Sequence, residues 1–95
     1  MRVEFIGRVV EWRGPSPFYF ATVPEEQAAD VREVAAAATY GWGVIPVEAC
    51  IGDTVFKTSL FPRDGGYLLP LKNAVRKPQA LSAGDDVAVK MTVLL

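Results

Sequence analysis

The sequence IGDTVFKTSLFPRDGGYLLPLK, residues 51–72, decides the fold of this 95-residue chain. Apolar and polar residues alternate over residues 56–60, and apolar residues recur at every second position over residues 67–71; both patterns are typical of β-strands. Gly52 begins a two-residue connection from the preceding strand-like run, and glycine in this place fits a type II′ hairpin turn. Pro62–Gly66 has the composition of a second turn. The stretch therefore predicts two consecutive antiparallel hairpins.

Segments on both sides of this stretch supply the other strands and one helix. Four further strands are predicted, at residues 3–12, 18–23, 44–51 and 87–95. Pro24 is placed at the first position of a helix that ends at Gly41. The apolar stripe of this helix consists of Ala28, Val31, Val34, Ala35 and Ala38. A short helical turn is predicted at residues 73–77, with Asn73 as its cap.

Six short strands with one helix favour a mostly β fold. We predict a small six-stranded, largely antiparallel barrel that is capped by the helix and by the short helical turn. The sequence shows no internal repeat and no linker, so residues 1–95 are predicted to form one domain. Gly7 interrupts the first strand, where it indicates a bulge or a close approach of two backbones.

The core is predicted from the apolar phase of each element. It consists of Phe5, Phe20, Val31, Val47, Ile51, Phe56, Leu60, Leu69, Val89, Met91 and Val93.

The composition argues against several classes of protein. The chain has no histidine, which is the commonest general base and metal ligand, and it shows no metal-ligand spacing or catalytic motif. Its single cysteine, Cys50, has no histidine to activate it and is interpreted as an inert thiol. We therefore predict no catalytic residue, no cofactor and no metal. A single cysteine, the missing signal peptide and the missing membrane span indicate a cytoplasmic location.

Positive charge is concentrated in one part of the chain. Residues 1–56 contain four basic and eight acidic residues, whereas residues 57–77 contain five basic residues and one acidic residue. The five are Lys57, Arg63, Lys72, Arg76 and Lys77. One interpretation is a convergent surface that binds an anionic small molecule or an acidic protein. The alternative is a solvated face that pairs with acids of the N-terminal half, with Arg76 as a structural residue that reaches Asp85 or Asp86.

A second group of residues is a candidate for lining a pocket. It consists of Trp42, Thr58, Ser59 and Tyr67. The rings are able to stack on a planar ligand, and the hydroxyl groups are able to donate to an anion. The alternatives are core packing for the rings and local backbone hydrogen bonds for the hydroxyl groups.

Several motifs together resemble the bacterial DUF1905 family, a domain of unknown function. They are Phe20–Pro24, Ile51-Gly52, Thr58–Pro62, Gly66–Lys72, Val75–Lys77 and Gly84–Val87. The resemblance covers nearly the whole chain and implies a double-split β-barrel, a pseudo-barrel similar to that of AbrB-type transcription regulators. It implies no established activity. In many relatives a second segment similar to bacteriocin-protection proteins follows, whereas this chain stops at Leu95.

We therefore expect a small binding or interaction module, either a monomer or a homodimer, that uses a basic face. A nucleic-acid-binding protein, by analogy with AbrB-type regulators, is the alternative; a net charge of −1 and a pI near 5.3 oppose it. An enzyme that works without histidine is the third hypothesis.

Overall fold

The computed structural model describes residues 1–14, 17–37 and 44–94. Within them, six antiparallel strands close into a barrel in the order β1-β2-β5-β4-β3-β6. The strands are β1 (Arg2–Trp12), β2 (Phe18–Val23), β3 (Ile45–Ile51), β4 (Thr54–Arg63), β5 (Gly66–Pro70) and β6 (Asp86–Val93). The helices are α1 (Glu25–Ala37) and the one-turn α2 (Asn73–Arg76). The predicted six-stranded barrel with one main helix and a short helical turn is confirmed.

The barrel consists of two sheets, because its two longest strands change partners midway. In β1, Arg2–Arg8 pairs with β6 and Val9–Trp12 pairs with β2. In β4, Thr54–Leu60 pairs with β3 and Phe61–Arg63 pairs with β5. We call the side with β3 and β6 sheet A and the side with β2 and β5 sheet B. The barrel wall has a split beside each of these two strands.

The two halves of the chain repeat one topology. Exchange of β1 with β4, β2 with β5, and β3 with β6 leaves all strand pairings unchanged. The hairpins are closed by equivalent pairs, Trp12 with Phe18 and Arg63 with Gly66. The sequence itself shows no internal repeat, so the relation between the halves is one of topology. The halves differ in side chains, so only their pairing reveals the relation.

The interior is filled by the alternate residues of all six strands together with Ala28 and Val31 of α1. Of the predicted core, the residues confirmed as buried in it are Phe5, Val31, Val47, Ile51, Leu60, Leu69, Val89, Met91 and Val93. Phe20 is confirmed as buried, at 7% exposed, but it lies outside the main core cluster, on the outer side of β2 against Trp12 and Phe61. Phe56 points inward but is only half-buried.

The turns of the hairpin stretch are close to prediction. Gly52 has a φ of 60°, as a type II′ turn requires at its first central position. The second turn is shorter than predicted, because β4 continues through Pro62 to Arg63 and only two residues remain in the turn. These two, Asp64 and Gly65, both have positive φ, 50° and 80°, as in a type I′ turn.

Gly7 marks a close approach of backbones, one of the two predicted explanations for it. A Cβ atom at this position would lie 2.4 Å from the carbonyl oxygen of Thr22. The hydroxyl group of Thr22 also bonds to the backbone N–H and carbonyl of Arg8, both at 3.2 Å. The first split is therefore held tightly where β1 passes from sheet A to sheet B.

The two helices cover the barrel unequally. α1 has 13 residues and packs against β1 and β5, whereas α2 has four and buries Val75. Asn73 was predicted to cap α2, but Lys72 occupies the cap position and makes no side-chain cap bond. Neither helix in the described residues is long and apolar enough to cross a membrane.

The difference in helical cover is visible when one residue of β1 is compared with the residue at the equivalent position of β4. Phe5 precedes Trp12 by seven residues, just as Phe56 precedes Arg63 by seven. Phe5 is only 6% exposed, whereas Phe56 is half-buried. The second half of the barrel is therefore the more open one.

Candidate functional site

A cleft opens at the second split. β5 pairs with β4 only over Phe61–Arg63, so ahead of Phe61 the free edge of β4 diverges from the chain that follows β5. The cleft has a volume of about 690 Å³. Its walls are Pro17–Phe20 of the β2 side, Thr58, Ser59 and Phe61 of β4, and Pro70–Asn73, which begin at the last residue of β5. We call it the β4 cleft.

The β4 cleft combines a cation with apolar walls. Lys72 is exposed at its edge, and the half-buried Thr58 and Ser59 contribute hydroxyl groups. Phe18, Phe20 and other apolar groups supply much of the remaining lining. Such a surface suits a ligand with an apolar body and an anionic or hydrogen-bonding end.

A second depression continues from this cleft over the outer face of sheet B. It measures about 460 Å³ and is lined by Trp12, Phe18, Phe20, Phe61, Pro62, Arg63 and Leu68. We call it the aromatic groove. The ring centroids of Trp12 and Phe20 are 6.2 Å apart, and those of Phe20 and Phe61 are 6.3 Å apart. The groove shares Phe18, Phe20 and Phe61 with the β4 cleft, so the two form one continuous surface.

Arg63 is the charged member of the aromatic groove. Its guanidinium carbon lies 4.2 Å from the ring centroid of Trp12, within the range of a cation–π contact. Its Nε also lies 3.6 Å from Asp64 Oδ2, and the Asp64 side chain is 93% exposed. This exposed ion pair is weak, so the cation remains available to another carboxylate.

The outer face of sheet A has a different character. Its registers place Glu4 opposite Lys90, Glu48 opposite Lys57, and Arg8 opposite Asp86. The last pair forms a salt bridge of 3.4 Å between exposed side chains. Opposite charges on neighbouring strands are typical of an ordinary solvated face.

A polar cluster lies beside the β4 cleft. The hydroxyl group of Tyr19 donates to Glu11 Oε2 at 2.9 Å, and the guanidinium carbon of Arg76 lies 4.0 Å from the Tyr19 ring centroid. The hydrogen bond to Glu11, together with desolvation and the negative charge of Glu11, raises the pKa of Tyr19 above its ordinary value of 10.0. Tyr19 is therefore a neutral phenol near neutral pH and is poorly suited to act as a base.

The five basic residues do not form one surface. Arg63 lies over Trp12 on the outer side of sheet B, whereas Arg76 lies over Tyr19 on the inner side of β2. Lys57 is on the outer face of sheet A, Lys72 is at the β4 cleft, and Lys77 is exposed at the end of α2.

Arg76 has a structural environment, but not with the predicted carboxylates. It donates to Asn73 Oδ1 at 3.2 Å and to the carbonyl of Leu81 at 3.5 Å. Asp86 instead bonds to Arg8, and Asp85 accepts from the backbone N–H of Ser82.

The predicted pocket residues separate into three groups. Thr58 and Ser59 line the β4 cleft. Tyr67 is 8% exposed and belongs to the core. Trp42 lies outside the described residues.

The prediction missed Phe18 and Phe61, which are 59% and 47% exposed. One signal was present in the sequence. Phe61 continues the phase of Lys57 and Ser59, and a large ring in the polar phase of a strand indicates an exposed apolar surface.

The described residues contain no group of three His, Cys, Asp or Glu side chains that is able to hold a metal ion. Cys50 is half-buried on the outer side of β3, and its thiol donates to the carbonyl of Gly52 at 3.3 Å.

Comparison with curated proteins found no match. A family model, described as a domain of unknown function, matches residues 5–91, nearly the whole barrel. The resemblance noted in the sequence is thereby confirmed, and the chain belongs to the DUF1905 family.

Proposed function

We propose that this domain is a non-catalytic binding module whose β4 cleft takes an anionic ligand with an apolar body. The observation that carries the proposal is that Lys72, Thr58, Ser59 and several aromatic residues line one cleft. In this arrangement Lys72 attracts the anionic group and the rings contact the apolar body.

In this proposal the other basic residues do not contact the ligand. Lys57 stands opposite Glu48 on sheet A, and Arg76 is engaged with Tyr19 and Asn73. We assign Lys77 and Lys57 to the surrounding positive potential, where they speed the approach of an anion without touching it.

Benzoate, a ring with one carboxylate, is a suitable probe for the ¹⁵N-labelled domain. We expect saturable shifts of the amides of Thr58, Ser59, Lys72 and Asn73. The contact of an exposed charge pair is worth about 0.2–1 kcal/mol, so Lys72→Gln should weaken the binding of benzoate by a factor of about 1.4 to 5. High salt should weaken it as well, because exposed charges are screened.

Lys90→Gln is the matched control, since Lys90 is an exposed lysine on the outer face of sheet A. It should leave the benzoate titration unchanged. Scattered shifts, or equal binding by Lys72→Gln and the unaltered domain, would contradict the proposal.

A further inference from the structure

We infer that the aromatic groove on the outer face of sheet B docks a short polypeptide segment that carries bulky apolar side chains and at least one acidic residue. This inference concerns a different surface from the β4 cleft and a different ligand from the one proposed there.

The first observation is the exposure of large rings on a regular sheet. Trp12, Phe18 and Phe61 are 53%, 59% and 47% exposed, although they belong to strands whose inner sides are well buried. Single exposed apolar residues are common, but these three line the same groove. Contiguous exposed apolar surface of this kind marks an interaction site.

The second observation is that the groove is held in shape by its own contacts. Phe20 is 7% exposed and supports Trp12 on one side and Phe61 on the other, the latter with an edge-on interplanar angle of 83°. Rings fixed in this way lose little conformational freedom when a partner binds. The groove is therefore prepared for bulky side chains without rearrangement.

The charges around the groove indicate the sign of the charge that the partner carries. In the part of the chain that the structure describes, Arg63 is the one charged residue in the groove lining. Arg13, next to Trp12, has a side chain that is 88% exposed and pairs with Glu11 at 3.3 Å, and Lys72 is exposed at the adjoining cleft. Charge complementarity therefore favours carboxylates in the docked segment.

The exposed area favours a peptide over a second copy of this chain. A large aromatic side chain buries about 150–250 Å², so three half-exposed rings offer on the order of 300 Å². A stable protein–protein interface needs roughly 800 Å² on each partner. A two-fold contact would also place the same patch on both subunits and bring Arg13, Arg63 and Lys72 towards their own copies.

Selection from a random 12-residue peptide library displayed on phage, with the intact domain as bait, tests the inference. We expect the enriched sequences to share at least two aromatic or leucine residues and at least one Asp or Glu. A synthetic peptide of the enriched sequence should bind Trp12→Ser and Phe61→Ser at least about tenfold more weakly, since aromatic anchors dominate small interfaces. Arg63→Gln should weaken binding and reduce its dependence on salt.

Ile6→Ser is the matched control, because Ile6 is 67% exposed on the outer face of sheet A. It should bind the peptide as the unaltered domain does. Thermal unfolding of each variant verifies the fold, and Phe18→Ser replaces Trp12→Ser if the latter lowers the midpoint.

Four results would overturn the inference: no shared enriched sequence, enrichment of basic peptides, equal binding by the folded groove variants, or a dimer of the unaltered domain that a groove substitution dissolves. The last result would show that a second copy covers the groove. If the domain binds the peptide but does not bind benzoate in the β4 cleft, only the proposed function is contradicted. A failure of the proposed function is therefore distinguishable from a failure of this inference.

Discussion

The outer faces of the two sheets carry different kinds of side chain on the same strand geometry. Sheet A places Glu4 opposite Lys90 and Glu48 opposite Lys57, as expected for strands that meet water. Sheet B places Trp12 opposite Phe18 and exposes both rings. Both sheets fill the same interior with alternate apolar residues, so the interior does not require this difference. The outer face of sheet B is therefore the one for which we propose a binding partner.

The two splits in the barrel wall also differ, because the first is closed and the second is open. The first is closed by the contact of Gly7 with Thr22 and lies in the half of the chain with the longer helix. The second has only α2, with four residues, and opens as the β4 cleft. The open split and the aromatic face meet at Phe18, Phe20 and Phe61, so the unusual features of the barrel lie together.

The largest expected effect distinguishes the equivalent positions Phe5 and Phe56. Phe5→Ala removes a ring that is 6% exposed and should lower the free energy of unfolding by about 3–5 kcal/mol. Phe56→Ala removes a half-buried ring and should cost only about 1–3 kcal/mol, because part of its surface is already in water. Urea titration of both variants measures the difference. Equal losses would mean that the second half is as closed as the first.

A smaller loss is expected at the tight split. Gly7→Ala places a Cβ atom against a backbone carbonyl that has little freedom to move, and overpacking of this kind costs about 1–3 kcal/mol. Gly66→Ala is the matched control, since its Cβ would lie 3.7 Å from the Arg63 carbonyl oxygen, an ordinary contact. Thermal unfolding should separate the two variants; an unchanged midpoint for Gly7→Ala would show that the backbones are free to part.

Substitutions on the outer faces should have smaller effects on stability. Ile6→Ser alters a residue that is 67% exposed and should change the free energy of unfolding by less than about 1 kcal/mol. Trp12 is 53% exposed, and Trp12→Ser also removes the contacts of its ring with Phe20 and Arg63, so it should lower the free energy of unfolding by about 1–2 kcal/mol. Urea titration measures both changes. A large loss for Trp12→Ser alone would indicate that the aromatic groove supports the barrel instead of serving a partner.

The smallest effect concerns the titration of Tyr19. Its pKa lies above the ordinary value of 10.0 because it donates to Glu11, so the native state favours the neutral phenol. The stabilisation is present below pH 10 and is lost as the pH rises through the raised pKa. Glu11→Gln should lower the pKa of Tyr19 towards 10.0 in an NMR titration of ¹³Cζ-labelled tyrosine. Tyr19→Phe identifies the resonance, and an unchanged pKa would exclude Glu11 as the cause.

The positions of the six strands along the chain and most of the interior were predictable because they follow from local alternation. Residues 87–95 gave the phase of β6 directly, and Gly52 gave the position of a turn. The burial of Phe20 was predicted but its position on the outer face was not, since aromatic residues occupy both phases of β2 and its neighbours on that face come from other strands.

The site itself was only partly predictable. Lys72, Thr58 and Ser59 were singled out from charge and chemistry, and all three line the β4 cleft. The contact of Arg63 with Trp12 joins residues far apart in sequence, and no local pattern predicts it. The cleft exists because β4 changes partners and α2 is short, and both are properties of the assembled barrel.

The central claim is that sheet B, not sheet A, carries the binding surface. Amide shift mapping of the ¹⁵N-labelled domain with 8-anilinonaphthalene-1-sulfonate, an aromatic anion, tests it most directly. We predict that the largest saturable shifts occur at Trp12, Phe20, Phe61 and Lys72, around the groove and the adjoining cleft. Shifts centred on Glu4, Ile6 and Lys90 of sheet A, or no saturable shift, would contradict the claim.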